Sequence, residues 1–168
     1  MTGFSLEHLS AVLVHQVHEI GEFFGFETRN KYQILDEQQA LIGYAAEQQK
    51  GILGFILRQY LGHWRKFDVY FFTPDRALTM IAHHPFRWFF QRIEVRNAQG
   101  KLLGALQKRF SVLSKRFDVE NERGMTIMEI SSPIWRLWTF TYMHQGNQIA
   151  QVKKKVEWPI FRSFHRQG

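Results

Sequence analysis

The chain has 168 residues, enough for one domain with a sizeable core; 45% are hydrophobic and 22% charged, with an unusual load of 16 Phe and 5 Trp. It contains no cysteine, which excludes disulfides, thiolate metal sites, a cysteine nucleophile and S-palmitoylation. A formal net charge of +7 points to anionic partners, nucleic acid or an acidic lipid surface, with plain solubility as the bland alternative.

Residues 1–24 open with Leu6, Leu9, Val12, Leu13, Val17 and Ile20 at spacings that suit a helix. Leu13-Val14-His15-Gln16-Val17 also alternates as a strand, so an N-terminal arm or short helix followed by a first strand is expected. His15 and His18 have no third ligand nearby in sequence, which favours two polar residues on a half-buried element over a metal site.

Gly25 to Gln48 reads as a β-hairpin. Tyr32 and Ile34 alternate with polar neighbours, Asp36-Glu37-Gln38-Gln39 supplies the turn, and Leu41 to Ala45 returns. Looser copies follow. Their turns are Thr73-Pro74-Asp75-Arg76, Asn97-Ala98-Gln99-Gly100, Asn121-Glu122-Arg123-Gly124 and Gln145-Gly146-Asn147. Phe67, Ile93, Phe117 and Phe140 mark successive copies 26, 24 and 23 residues apart, a repeat of architectural length. Five hairpins in series predict a mainly β fold, one meandering antiparallel sheet of about ten strands. A sheet of that size curls or closes to hide its edges, so a closed or nearly closed barrel is expected over residues 1–168 as a single domain.

In a meander the hairpin turns lie at one end and the inter-hairpin connections at the other. The turns are polar; the connections are apolar, aromatic and basic. The first holds Ile52, Phe55, Ile56, Tyr60 and Trp64 at the spacing of a short amphipathic helix. The second runs Pro85-Phe86-Arg87-Trp88-Phe89-Phe90, and the fourth Pro133-Ile134-Trp135-Arg136-Leu137-Trp138. The third, Phe110 to Arg116, reads as the mildest. Such loops fit a rim where Trp and Phe sit at lipid headgroup level and Arg or Lys meets phosphate; equally, they fit plugs for the end of the barrel. Lys153-Lys154-Lys155 adds a short basic run suited to phosphate. No G-x-G-x-x-G, P-loop, H-E-x-x-H or G-x-S-x-G pattern occurs, and no catalytic constellation or cofactor site can be assembled.

The residues Leu13 to Gln16, Gly25 to Tyr32, Gly43 to Glu47, Gln91 to Val95 and Phe117 to Glu122 resemble the phospholipid scramblase family, a tubby-like superfamily, over most of the chain. The resemblance implies a 12-stranded barrel around an apolar C-terminal helix, and a protein that binds or passively translocates phospholipid. The alternative it leaves is a soluble tubby-like module for phosphoinositide, nucleic acid or a protein partner. By this resemblance, animal members carry acylated cysteine clusters where this chain has Phe86 to Phe90 and Pro133 to Trp138. The family's acidic calcium-associated segment would follow Lys153 to Trp158, but Pro159 to Arg166 holds no acidic residue, so no calcium site is expected. The resemblance also implies a core helix that the sequence to Gly168 does not contain, so the barrel is expected to be filled by lipid, a partner's helix, the N-terminal segment around Leu6 to Ile20, or a missing segment of an incomplete chain. With no apolar run of about 18 residues and no secretory start, a cytoplasmic protein peripheral to the membrane is expected. The contact candidates are therefore Ile52, Phe55, Ile56, Trp64, Phe86, Arg87, Trp88, Phe89, Trp135, Arg136 and Trp138, with Lys153, Lys154 and Lys155 as the basic patch.

Overall fold

The computed structural model describes residues 8–17, 28–48, 67–85, 90–136 and 138–154. These form eleven antiparallel strands in one sheet: β1 (Leu13–Val17), β2 (Thr28–Leu35), β3 (Leu41–Gln48), β4 (Phe67–Phe72), β5 (Leu78–His84), β6 (Arg92–Asn97), β7 (Leu102–Arg109), β8 (Ser114–Asn121), β9 (Thr126–Pro133), β10 (Thr139–His144) and β11 (Asn147–Lys153). Spatial order equals sequence order throughout, a pure meander. The mainly β reading and all five hairpins hold. One expectation is narrowed: of a closed or nearly closed barrel, the described strands show no closure, since β1 and β11 are the free ends of the strand order. A hairpin period predicts strands and curl but says nothing about which strands would join the ends. No helix occurs among the described residues, and the amphipathic stretch Ile52 to Trp64 lies outside them.

Four of the five hairpins use one turn. In the first, Gln39 N–H donates to the Asp36 carbonyl (3.1 Å) and Asp36 N–H to the Ala40 carbonyl (3.0 Å). The Asp36 carboxylate takes the N–H groups of Gln38 and Ala40. Asn97 and Asn121 repeat both the backbone bonds and the side-chain cap, and Thr73 caps Ala77 through its hydroxyl. The position three residues after each cap is left-handed: Gln39, Arg76, Gly100 and Gly124. This is a three-residue loop with a bulge, and a register shift follows in each pair. Asx and Thr side chains suit the first position because they bond backbone two and four residues on. The fifth hairpin turns on Gln145-Gly146, both left-handed, as a two-residue loop. Repeated bulges strengthen the local twist, and a twisted sheet this wide curls.

Alternation then divides the side chains. One face carries Phe67, Ile93, Leu106, Phe117, Ile130, Phe140 and Val152, brought into rows by the strand registers. The other carries a charged lattice. Arg92 donates to Glu120 at 2.6 Å and lies 3.7 Å from Glu94; Arg109 bonds Asp118 at 2.6 Å; Arg116 reaches Glu129; and His83 pairs with Asp68. Among the described residues, every buried polar side-chain atom has a partner.

Gly104 marks the tightest strand approach. A Cβ there would stand 2.5 Å from the backbone carbonyl oxygen of Glu120. Backbone cannot swing aside, so Gly104→Ala is expected to cost about 1–3 kcal/mol through overpacking. Urea unfolding measures it; an unchanged midpoint would refute the close approach.

Candidate functional site

The described parts of the connections β5–β6, β7–β8 and β9–β10 lie at one end of the sheet. Along the third of these, Arg136 N–H donates to the Pro133 carbonyl at 2.9 Å, and the Ser132 hydroxyl donates to the Arg136 carbonyl at 2.9 Å. These bonds fix a tight loop whose large side chains face outward: Ile134, Trp135 and Trp138 are all exposed, Trp135 at 76%. Ile134 N–H bonds the Leu113 carbonyl at 3.3 Å, so the β7–β8 connection lies alongside. There Phe110 (79%), Val112 and Leu113 are exposed as well, and Phe90 of the β5–β6 connection is half exposed. Exposed apolar side chains on adjacent loops of this kind are not what solvated loops present.

Basic groups edge this surface. Lys154 N–H donates to the Trp138 carbonyl at 3.0 Å, and its Nζ stands 4.8 Å from the Trp138 ring centroid, a cation–π contact. Lys153, Lys154 and Arg136 are exposed. Arg109 and Arg116, on the strands beside the β7–β8 connection, are engaged by Asp118 and Glu129.

Beneath this rim, on the apolar face, lies a cavity of about 220 Å³. Its walls come from seven successive strands or their ends: Ile93 on β6, Leu106 on β7, Phe117 on β8, Ile130 on β9, Phe140 on β10 and Val152 on β11, with His84 from the end of β5. At about 4.8 Å per strand, β5 and β11 would lie roughly 29 Å apart in a flat sheet. Sharing one small cavity requires the sheet to curl with this face inward. All the wall residues sit within a few positions of the rim-side ends of their strands, so the cavity lies on the rim side of the sheet. Polar groups in the wall are limited to His84, Gln91 and Tyr142. His84 is buried and stacks on Phe67 with ring centroids 4.7 Å apart. Burial raises the Tyr142 phenol above its ordinary value, so at neutral pH it stays a neutral hydroxyl.

The concave face is thinly filled. Of the buried hydrophobic residues among those described, only Ile34, Ala45 and Ile130 share this face by register, Ala46, Phe72 and Ala105 lying on the charged one; the large wall residues Ile93, Leu106, Phe117 and Phe140 stay partly accessible. The geometry offers apolar burial under a cationic, aromatic mouth. It suits binding an amphiphile, and no group of three metal-ligating side chains occurs among the described residues.

A model of the family described as Scramblase matches residues 4–161. The chain belongs to the scramblase family. A phospholipid scramblase family protein of Schizosaccharomyces pombe is 25% identical over 114 residues, which is 64% of this chain and 30% of that protein. The chain therefore spans under a third of that relative's length. No solved structure matches.

Of the contact residues expected from sequence, this scramblase-family structure places Trp135, Arg136 and Trp138 on the rim with Lys153 and Lys154 beside them. Ile52, Phe55, Ile56, Trp64, Phe86, Arg87, Trp88, Phe89 and Lys155 lie outside the described residues. The sequence marks the Phe110 to Arg116 connection as the mildest of the set, which leaves Phe110, Val112 and Leu113 out of the contact candidates, although Lys108-Arg109 and Lys115-Arg116 flank them as basic residues flank the other loops. Sequence reasoning also passed over the cavity, whose signal is the large apolar residue near the rim-side end of strand after strand.

Proposed function

We propose that this scramblase-family chain attaches peripherally to an anionic membrane surface through its rim and binds, or passively moves, phospholipid there. The observation that carries the reading is the convergence of Phe110, Val112, Leu113, Ile134, Trp135 and Trp138, all exposed, on the end of the sheet that also bears Arg136, Lys153 and Lys154. Trp at headgroup depth and Lys at phosphate form the pattern of interfacial anchoring. No helix among the described residues is long and apolar enough to cross a membrane, which is compatible with attachment by loops. Family membership supports phospholipid as the ligand class.

Co-sedimentation with vesicles tests the attachment, and liposomes bearing a headgroup-labelled lipid test movement across the bilayer. The chain is expected to sediment with phosphatidylglycerol vesicles and to release as salt rises, because the Lys contacts are screened. Each Lys near an anionic surface contributes about 1 kcal/mol, so Lys153→Glu with Lys154→Glu should weaken binding by at least about thirtyfold and flatten the salt dependence. Equal binding by the charge-reversed variant would remove the basic patch from the interface. Salt-sensitive binding to DNA with no affinity for vesicles would favour a soluble binding module instead.

A further inference from the structure

We propose that the cavity under the rim receives a single phospholipid acyl chain, lifted out of the bilayer while the headgroup stays at the rim. This rests on the membrane reading above and gives it a binding subsite.

Size, lining and position argue together. At about 220 Å³ the cavity exceeds the roughly 150 Å³ space that accepts benzene in an apolar protein interior. It falls short of the about 300–1,000 Å³ that encloses a drug-sized ligand, so part of one chain fits and a whole two-chain lipid does not. The walls are Ile93, Leu106, Phe117, Ile130, Phe140 and Val152, which give a flexible hydrocarbon contact and offer a headgroup nothing to bond. His84 and Gln91, at the rim-side ends of β5 and β6, are the polar groups of the wall suited to the ester region of an inserted chain, while Tyr142 lies deeper, opposite Ile130. Above them Lys153, Lys154 and Arg136 stand exposed for a phosphate. The polarity order from cation through ester partner to hydrocarbon matches the order of groups along a phospholipid. A free fatty acid would use the same walls; the rim cations and the width of the aromatic surface favour a chain still attached to its headgroup in a membrane.

The full chain is incubated with phosphatidylglycerol–phosphatidylcholine vesicles, separated from them by size exclusion, and its extracted lipid identified and counted by mass spectrometry. One phospholipid per chain is expected. Val152→Trp fills the cavity from an exposed edge strand, where folding is little burdened; it should lose most of the carried lipid yet sediment with vesicles like wild type. Ile130→Trp, filling the buried side, should do the same. Wild type that sediments with vesicles but carries no lipid overturns the cavity and leaves the membrane reading intact, as does unchanged lipid content in both filled variants. Free fatty acid in place of phospholipid overturns the assigned source. If wild type does not sediment, the membrane reading fails, and the cavity is tested alone with monomeric dihexanoylphosphatidylcholine. Shifts of the Ile93, Leu106 and Ile130 methyl resonances then support it, and unmoved resonances overturn it.

Discussion

Trp135→Ala is expected to weaken binding to anionic vesicles by about thirtyfold while changing folding stability by less than about 0.5 kcal/mol. Trp135 is 76% exposed and belongs to a loop held by backbone and Ser132 bonds, so the fold does not depend on its indole. A Trp side chain offers about 150–250 Å² of mostly apolar surface. At about 25 cal/mol per Å², with the ring only partly withdrawn from water at headgroup depth, roughly 2 kcal/mol is at stake. Met125→Ala is the control. Met125 is also exposed, but it lies beside the Asn121 turn at the opposite end of the sheet, and its loss should leave vesicle binding unchanged. Equal losses in the two variants would mean that the rim has no special standing.

Glu120→Ala is expected to destabilise the fold by about 2–3 kcal/mol, read as a lower urea midpoint with an unchanged slope. Glu120 is buried at mid-sheet between Arg92 at 2.6 Å and Arg109 at 3.6 Å. Removing it leaves the Arg92 guanidinium, itself only 18% exposed, with its weaker 3.7 Å approach to Glu94 and a bond to Gln107. The figure stays below that for a fully buried pair because Arg109 is half exposed and water reaches it. Replacing both partners, Arg92→Met with Glu120→Leu, should cost less than Glu120→Leu alone, since no charge is then stranded. A double variant no more stable than that single one would mean that the pair matters through packing and not charge.

The hairpins were legible because their signals are local. Asp36, Thr73, Asn97 and Asn121 each head a turn, and the strands on either side alternate. Trp135, Trp138 and Lys154 were legible as a group because a meander sorts turns from connections. The cavity was not, since its walls come from residues as far apart as His84 and Val152. Only the curl of the sheet brings these together, and curl depends on bulges that alternation does not reveal. That the described strands leave β1 and β11 as free ends was illegible for the same reason: a repeat specifies neighbours, not ends. The weight of Phe110 to Leu113 was underestimated because only three residues there are strongly apolar; their importance lies in adjacency to Ile134, a tertiary fact.

The strict sequential strand order has a consequence for how the molecule is made. Among the described strands, each touches only its neighbours in the chain, so loop closure is short at every step and hairpins can pair as they leave the ribosome. Growth of the sheet is then a one-dimensional process, each strand docking on the edge left by the one before. The cavity does not mature at the same pace. Its far wall is Phe140, Tyr142 and Val152, on the last two strands. During synthesis most of the sheet precedes its cavity, and the hydrocarbon-lined face stays uncovered until β10 and β11 arrive.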